Sequence, residues 1–489
     1  MTEAHYNRPV VVRFAPSPTG LLHVGGARTA LFNALFHIRH GGRFIFRVED
    51  TDRLREITGA AERMLSDLNW LGIAFNEGEG IGGSDGPYRQ SARGQIYRDA
   101  ASRLLAKKVV YLCFCSSERI EELHRESSKA GKPPRYDKRC KDLTDKEIEE
   151  LLHKGSSPVV RLSVEDHQVI EINDLVKGLV KFDSEHLDDP ILVRSDGSSA
   201  GLLAGAADDH SMGVTHIFRG DEWLPSTPYQ LLIFQALGGL PPEWGHLSLL
   251  VDESHAKLSK RTAGLSIAEL REEGILPEAI CRYLTGLGRG TIPSDRGWSL
   301  NDLASDFDPT NYRSGEIVYS KAALLGENQK YLRLLPVEEL LARFSLWCGN
   351  RKPFGGMPFP KRLAALALAS ESASTFYECL DGLKSLLTRP DPSMIENPET
   401  YSWLVVLNEF ARRLSEIEWS ETGIQDSIIG AGRALGLKGR DIYFPIRIAI
   451  TGKTHGPRLA AVMNLLGQEE CNARLENYFK YFSFPRSTT

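Results

Sequence analysis

The chain has no long hydrophobic run, no low-complexity tract, no internal repeat and few cysteines. No apolar stretch reaches the ~20 residues that a membrane helix needs, so no membrane partner is expected. The opening MTEAHYNRP has no apolar core of a signal peptide, and a cytoplasmic protein is expected. Seven cysteines, odd in number and thinly spread, argue against a disulfide framework and fit a reducing compartment. A strong charge of either sign is also missing. The net charge of −5 excludes a wholly basic nucleic-acid binder, yet leaves room for a local basic face. What is present is an ordinary globular composition, 42% hydrophobic and 25% charged, over 489 residues. That length sets a prior of about three domains.

The stretch Arg13 to Gly26, RFAPSPTGLLHVGG, organises the rest. The β-branched run Val10-Val11-Val12 predicts a buried strand leading into Arg13 and Phe14. Pro16, Pro18 and Gly20 rule out a regular element and predict a shaped loop. After His23 and the pair Gly25-Gly26, ARTALFNALFHIRHG has apolar residues at helical spacing up to Gly41-Gly42. A strand, a loop and a helix opening at glycines describe a nucleotide-binding corner. Free amides at a helix start attract phosphate, and glycine lets a base or ribose lie against the backbone.

A second strand is predicted in RFIFRVEDTDR, ending in Glu49, Asp50 and Asp52. Acids beyond the carboxyl end of such a strand fall where a substrate sits. Asp50 and Asp52 serve equally well as caps for a helix starting near Thr58, whereas Glu49 reads as ligand-facing. Residues 78–86, GEGIGGSDG, are expected as a surface loop. A helix from Gln95 to Lys108 leads to the strand VVYLCFC. Cys113 and Cys115, with Cys140 after a further 24 residues, suit a structural zinc site whose fourth ligand is Tyr136, Asp142 or His124. Residues 158–195 alternate like strands and form a β-rich insertion. THIFRG then predicts a strand delivering Arg219, and Ser226-Thr227-Pro228 a helix start. The strand HLSLLVD leads to KLSKR, whose Lys257, Lys260 and Arg261 suit a polyphosphate.

From about residue 330 strand alternation gives way to amphipathic helices. Within them LKGRDIYFPIRIAITGKTHGPR sets Lys438, Arg440, Arg447, Lys453 and Arg458 against one acid, Asp441, with Tyr443 and Phe444 interleaved. Cations and rings together suit unpaired nucleotides. Gly452-Lys453-Thr454 is no P-loop, because Arg447 stands where its first glycine is required.

PSPTG…HVGG together with KLSKR resembles the HIGH and KMSKS motifs of class I aminoacyl-tRNA synthetases. GGRFIFRVEDTD, the Cys-x-Cys insertion, THIFRGDEW, LPEAI at 276–280 and PIRIAITG at 445–452 extend the likeness over nearly the whole chain. In order and spacing the set resembles the bacterial glutamyl-tRNA synthetases. The resemblance implies an α/β protein with a Rossmann-type catalytic domain at 1–110 and 196–262. A mixed α/β insertion at 111–195 would carry the zinc site and meet the tRNA acceptor end. A stem-contact helical domain would follow at 263–330, then an all-α anticodon-binding region at 331–489 with a break near 395.

The implied reaction has two steps. Glutamate and ATP give glutamyl-adenylate and pyrophosphate, and the glutamyl group then passes to the 3′-terminal ribose of tRNA-Glu. The attacking carboxylate is already ionised, so no general base is needed and catalysis is positioning plus neutralisation of phosphate charge. The resemblance assigns His23, Lys257 and Lys260 to catalysis, and His23, Gly25, Gly26 and Lys260 to ATP. It assigns Arg13, Ser17, Glu49 and Arg219 to glutamate, the two arginines by bidentate contact with carboxylate. Cys113, Cys115, Tyr136 and Cys140 would hold structural Zn²⁺, and Mg²⁺ would act with ATP. Lys438, Arg440, Arg447, Lys453 and Arg458 would meet tRNA, and a monomer is implied. Glutamine is refused because a neutral amide leaves buried arginine charge uncompensated.

One stretch departs from the family. Where it reads xPTYxxAxVV, this chain has SSAGLLAGAA at the same length, with Gly201 in place of the tyrosine and Gly205 where some relatives carry a polar residue. A roomier glutamate pocket is expected. Two rival readings are a glutaminyl-tRNA synthetase, whose anticodon region is a β-barrel, and a catalytically impaired, tRNA-binding descendant of a synthetase.

Overall fold

The computed structural model describes residues 8–52, 55–129, 131, 135–258, 264–289, 297–351, 353–394 and 400–482. Lys260 and Arg261 of the KLSKR motif lie outside the described residues. The chain separates into two compact units, Met1–Leu270 with Ile280–Ser320, and Arg271–Ala279 with Lys321–Thr489.

The first unit grows from β1 (Val11–Phe14), α1 (Val24–His40) and β2 (Arg43–Phe46), a parallel pair with its crossover helix. The turn between α1 and β2 needs glycine: Gly42 has φ +90°, and a Cβ there would lie 1.9 Å from the Val10 carbonyl oxygen. After α2 (Ala60–Trp70), β2 also pairs with the short β3 (Glu77–Gly78). Part of the Gly-rich segment expected as a surface loop is therefore an edge strand. Its Gly78 packs against Phe46, where a side chain would collide.

Next come α3 (Gly94–Ala106), β4 (Val110–Cys113), α4 (Ser117–Lys129), α5 (Asp145–His153), β5 (Val159–Leu162), β6 (Val169–Asp174), β7 (Gly178–Asp183) and β8 (Ile191–Val193). β4, β5 and β8 form an antiparallel sheet of their own. The β6–β7 hairpin belongs elsewhere. With α6 (Gly201–Ser211), β9 (His216–Gly220), α7 (Thr227–Leu237) and β10 (Glu243–Leu247) the chain forms a second sheet of order β7-β6-β10-β9. β9 lies alongside β1 through Thr215, whose amide donates to Val11 O (2.9 Å) and whose hydroxyl accepts from Val11 N (2.8 Å).

HLSLLVD, expected as one strand, breaks at Ser248 into β10 and β11 (Leu250–Val251). Arg28 takes the Ser248 carbonyl (3.1 Å) and Arg313 O takes its hydroxyl (2.8 Å), so side-chain and loop partners replace the ladder there. The unit also contains α8 (Ile267–Glu272), α9 (Pro277–Gly286), α10 (Leu300–Ser305) and β12 (Ile317–Val318), of which α8 and α9 run on into residues of the second unit; β12 pairs with β11.

Both faces of the parallel sheets are covered. On one, Phe32 of α1 meets Phe307 edge-on and Tyr312 tilted, and Phe36 meets Phe218 tilted, at centroid distances of 4.6 to 5.1 Å. On the other, Val11, Ile45, Ile217 and Trp244 pack with Leu104, Leu203, Ile233 and Phe234. With both faces apolar, polar chemistry is left to the carboxyl ends of the strands.

In the second unit α11 (Lys321–Leu334), α12 (Val337–Cys348), α13 (Phe359–Ser370), α14 (Phe376–Leu387), α15 (Thr400–Leu414), α16 (Glu421–Leu435), α17 (Arg440–Thr451), α18 (Leu459–Leu466) and α19 (Gln468–Phe482) follow in order. Trp403, Phe410, Ile424, Ile446, Met463 and Tyr478 meet in one apolar core. Buried Arg474 donates to the Ile450 carbonyl (2.6 Å) and to Leu386 O (2.9 Å), tying α19 to the ends of α17 and α14. Among the described residues no helix is long and apolar enough to cross a membrane.

Candidate active site

A cavity of about 580 Å³ opens where the carboxyl ends of β1 and β9 diverge. Arg13, Ser17, His23, Gly26, Glu49 and Arg219, six of the residues singled out in the sequence, all line it. Such a crevice, between two parallel strands whose crossovers leave on opposite sides, is where open α/β sheets bind ligands. The proline loop is held in shape by its own carbonyls: Glu49 N donates to Pro16 O (3.0 Å) and Ile57 N to Pro18 O (2.9 Å). Asp50 points away, accepting from the Ser91 amide and hydroxyl, each at 2.7 Å. Asp52 is exposed beside a neighbouring cavity of about 870 Å³ that shares Thr51. Neither caps α2, which starts behind Gly59.

The cavity floor is a buried charge cluster. Arg47, with no exposed side-chain surface, donates to Asp209 (2.6 Å) and Glu49 (2.9 Å) and lies 3.8 Å from Asp208. Burial opposes its charge, but the three acids outweigh that and raise its pKa far above the usual range. Arg13 shares Asp209 through Nε (3.2 Å), and no described residue accepts from its two terminal nitrogens. Asp208 is met by Arg93 (2.6 Å), Gln90 (2.9 Å) and Tyr97 (3.0 Å).

Arg219 differs. Nε donates to His246 Nε2 (3.0 Å), Nη1 to Gln230 Oε1 (2.6 Å), and Nη2 to Thr227 Oγ1 (2.8 Å) and Trp223 O (3.3 Å). All four acceptors are uncharged, and no described carboxylate lies within 4 Å of it. Burial, with Arg13 adding to it, pushes its pKa down to about 9. Four of its five N–H donors are engaged within the chain, leaving one on Nη1. The bidentate grip expected of Arg219 is therefore closed to it while Gln230 stays in place. The open fork belongs to Arg13.

His23 is the N-cap of α1, with Nδ1 accepting from the Gly25 amide at 3.3 Å. The chain beyond it is bridged to the segment after KLSKR: Val24 N donates to Leu265 O (3.0 Å) and Ile267 N to Leu22 O (2.9 Å). Gly26 lines the cavity; Gly25 is not among its lining residues. Lys257 is exposed past the turn after β11, bridged back to Val251, and is not among them either. Gly201, the first residue of α6, lines the cavity, and a Cβ there would stop 3.8 Å from Thr51 Oγ1. At Gly205, one turn on, a Cβ would stop 3.6 Å from Gln230 Nε2, so neither glycine is forced by its neighbours.

Sequence reasoning missed Arg47, Asp209, Gln230 and His246 as parts of this site. Arg47 carried a signal, since a cation inside the apolar strand RFIFRV demands a buried acid. Asp208-Asp209 were visible only as landmarks, because their partners lie 115 and 162 positions away in the chain.

The sulfur atoms of Cys113, Cys115 and Cys140 lie within 4.8 Å of one another, with Cys115 and Cys140 at 3.6 Å. The Tyr136 hydroxyl sits 3.3 Å from Cys113 Sγ and 3.4 Å from Cys115 Sγ. Tetrahedral zinc with Zn–S of ~2.3 Å requires S···S near ~3.8 Å, so these four groups fit the ion. Burial and hydrogen bonds to the surrounding sulfurs push the Tyr136 hydroxyl far up. Asp142 and His124 are not in the group.

In the second unit the five cations divide. Lys438 lines a cavity of about 410 Å³ with Arg433 and Tyr443; Arg447 and Lys453 line another of about 280 Å³ with Thr451, His455 and Pro457. Arg440 stacks on Phe444 at 4.7 Å. Arg458 is met by Glu421 (2.8 Å) and Glu371 (3.4 Å), acids remote in sequence that offset the local basic excess.

Residues 9–313 match the model of the class I tRNA synthetase (E and Q) catalytic domain, and residues 338–479 that of an anticodon binding domain. A glutamate–tRNA ligase of Carboxydothermus hydrogenoformans is 36% identical over 486 residues, covering 96% of this chain and all of the relative. That of Bacillus subtilis is 35% identical, over 96% and 99%. Among solved structures, a glutamate tRNA ligase from Elizabethkingia meningosepticum in complex with its amino acid superposes with a TM-score of 0.83 at 31% identity, over 97% and 99% of the two chains. The chain thus belongs to the class I aminoacyl-tRNA synthetases, in the branch that serves glutamate and glutamine.

Proposed function

We propose that this chain is a glutamate–tRNA ligase that activates L-glutamate with ATP and passes it to the terminal ribose of tRNA-Glu. The observation that carries the choice of amino acid is Arg219, a buried cation with only neutral partners, sharing a cavity with the open fork of Arg13. Arg219 with no carboxylate partner, beside the open terminal nitrogens of an Arg13 whose Nε is on Asp209, favours a carboxylate and penalises an amide, which leaves the Arg219 charge unpaired. Glu49, on the same wall, supplies the acid for the α-ammonium, and Ser17 a hydroxyl beside it.

ATP enters as its Mg²⁺ complex and lies over Gly25, Gly26 and the start of α1, with Lys257 and Lys260 supplying positive charge to the phosphates and neutral His23 an Nε2–H donor. The glutamate α-carboxylate attacks the α-phosphorus and pyrophosphate leaves. The ribose hydroxyl then displaces AMP. Holding both reactants in one rigid crevice is the larger part of the catalysis. Zn²⁺ on Cys113, Cys115, Tyr136 and Cys140 would cross-link β4 to the loop after α4, a structural role. Lys438, Arg440, Arg447, Lys453 and Arg458 serve tRNA in the second unit. In this reading the enzyme is a cytoplasmic monomer.

Glutamate-dependent exchange of pyrophosphate into ATP, measured with and without tRNA-Glu, tests the reading. Exchange with glutamate and none with glutamine is expected; no exchange in the presence of tRNA identifies an impaired, tRNA-binding relative. For the metal, about one zinc per chain in the purified protein and its loss in Cys113→Ser are expected.

A further inference from the structure

We infer that Asp174 and His246 form a buried dyad that aims Arg219 at the ligand, which makes His246 a positioning residue for glutamate binding. The inference rests on the reading of Arg219 as a carboxylate contact.

Arg219 Nε carries a hydrogen and no lone pair, so at 3.0 Å it can only donate to His246 Nε2. The imidazole proton is then on Nδ1, which faces Asp174 Oδ2 at 2.5 Å. The aspartate cannot turn away. Its Oδ1 accepts from the Val176 and Lys177 amides, both at 2.9 Å, and the His246 amide donates to both its oxygens at 3.1 Å. A carboxylate locked at the end of β6 thus fixes the tautomer of a histidine on β10. That histidine presents a lone pair to an arginine on β9. Gln230 and Thr227 of α7 hold the other two nitrogens, so the remaining N–H of Nη1 has one direction.

Neither Asp174 nor His246 exposes any side-chain surface. Asp174 also satisfies three backbone amides, but a purely structural His246 has no advantage over an apolar residue of the same volume, since buried ionic pairs add little net stability. Their geometry is what an apolar pair lacks. The same arrangement, a carboxylate that sets a histidine tautomer that orients a third group, serves metal ligands and nucleophiles elsewhere.

The dyad works only while His246 is neutral. A second proton goes on Nε2, where it meets the Arg219 Nε–H donor to donor and charge to charge. The groups around the ring are Asp174 on β6, Arg219 on β9 and Thr227 on α7, with Asp221 and Lys177 paired at 2.8 Å beyond them. Arg13, Asp209 and Glu49 face Arg219 from its other side. Burial lowers the His246 pKa; Asp174 opposes this and Arg219 adds to it. Burial would raise the Asp174 carboxyl, but the donors from His246, Lys177 and Val176 outweigh it and hold it low.

The test is steady-state exchange on the full chain with tRNA-Glu present, for His246→Leu, His246→Gln, Asp174→Asn and Arg219→Gln. His246→Leu removes the acceptor and should raise the KM for glutamate tenfold or more, while the KM for ATP stays within about twofold. His246→Gln returns an acceptor oxygen and should recover part of that loss. Asp174→Asn should raise the glutamate KM and flatten its rise at acid pH, and it stands in for His246→Leu should that variant not fold. A glutamate KM unchanged in both His246→Leu and Asp174→Asn, with Arg219→Gln impaired, overturns the positioning role and leaves the ligase reading intact. Losses that fall equally on glutamate and ATP also overturn it. An Arg219→Gln enzyme with an unaltered glutamate KM overturns the reading on which it rests.

Discussion

Arg47 and Arg219 both line one cavity, both are buried, and they are treated in opposite ways. Arg47 has three carboxylates around it, and its charge is held against burial. Arg219 has a histidine, an amide, a hydroxyl and a carbonyl, and burial weakens its charge. The charge of the first is balanced within the chain, although its Nε makes no hydrogen bond; the second has no carboxylate partner. A paired arginine keeps the floor rigid, and an underpaired one is held ready for an anion.

The largest expected effect comes from removing the paired member. Arg47→Leu leaves Asp209 with only Arg13 and should cost about 3–5 kcal/mol of unfolding free energy, read from urea titration. Stability close to wild type would break the comparison. Arg219→Gln should do the reverse, with stability changed by about 1 kcal/mol or less and the glutamate KM raised ~100-fold, equivalent to ~2.7 kcal/mol. A loss of stability like that of Arg47→Leu would show that Arg219 is structural too.

Acid separates the two arginines as well. The Asp209 carboxyl is held low, because Arg13 and Arg47 outweigh its burial. Its stabilisation is therefore present above the unfolded value of ~3.9 and lost as pH falls through the folded value below that. His246 titrates below its ordinary ~6.5 but requires no unfolding. As pH falls below the ordinary imidazole range the glutamate KM should climb, up to about tenfold per unit, while near-ultraviolet circular dichroism stays native. Coincident loss of both signals would merge what the comparison keeps apart. The smallest effect is expected from Gly201→Tyr. A ring in the space beside Thr51 should lower the glutamate KM by about two- to tenfold, the worth of one aromatic contact. No improvement would mean that the open wall already suits the substrate.

Much of the site was legible in the sequence because its pieces are local. Arg13, Ser17, His23 and Gly26 lie within one strand, one loop and one helix start, and Glu49 ends the next strand; each carries its chemistry in its immediate neighbours. The Cys-x-Cys spacing did the same for the cysteine cluster. The cationic run in α17 and beyond was read correctly as basic, yet its acids, Glu371 and Glu421, are brought in by folding and were invisible to a local count.

By itself the sequence determined most of the element types, the corner where strand, loop and helix meet, and the residue kinds delivered there, since these depend on periodicity, turn chemistry and short spacing. Only the tertiary structure decided which arginine is paired. Asp209 reaches Arg47 across 162 positions, and Asp174 reaches His246 across 72. The first pair is set by where helix α6 lies against the end of β2 and the second by the order of strands in the sheet, neither of which a local pattern encodes. Strand order and the placing of α6 and α7 put carboxylates on Arg47, neutral acceptors on Arg219, and the remaining need for negative charge inside the cavity.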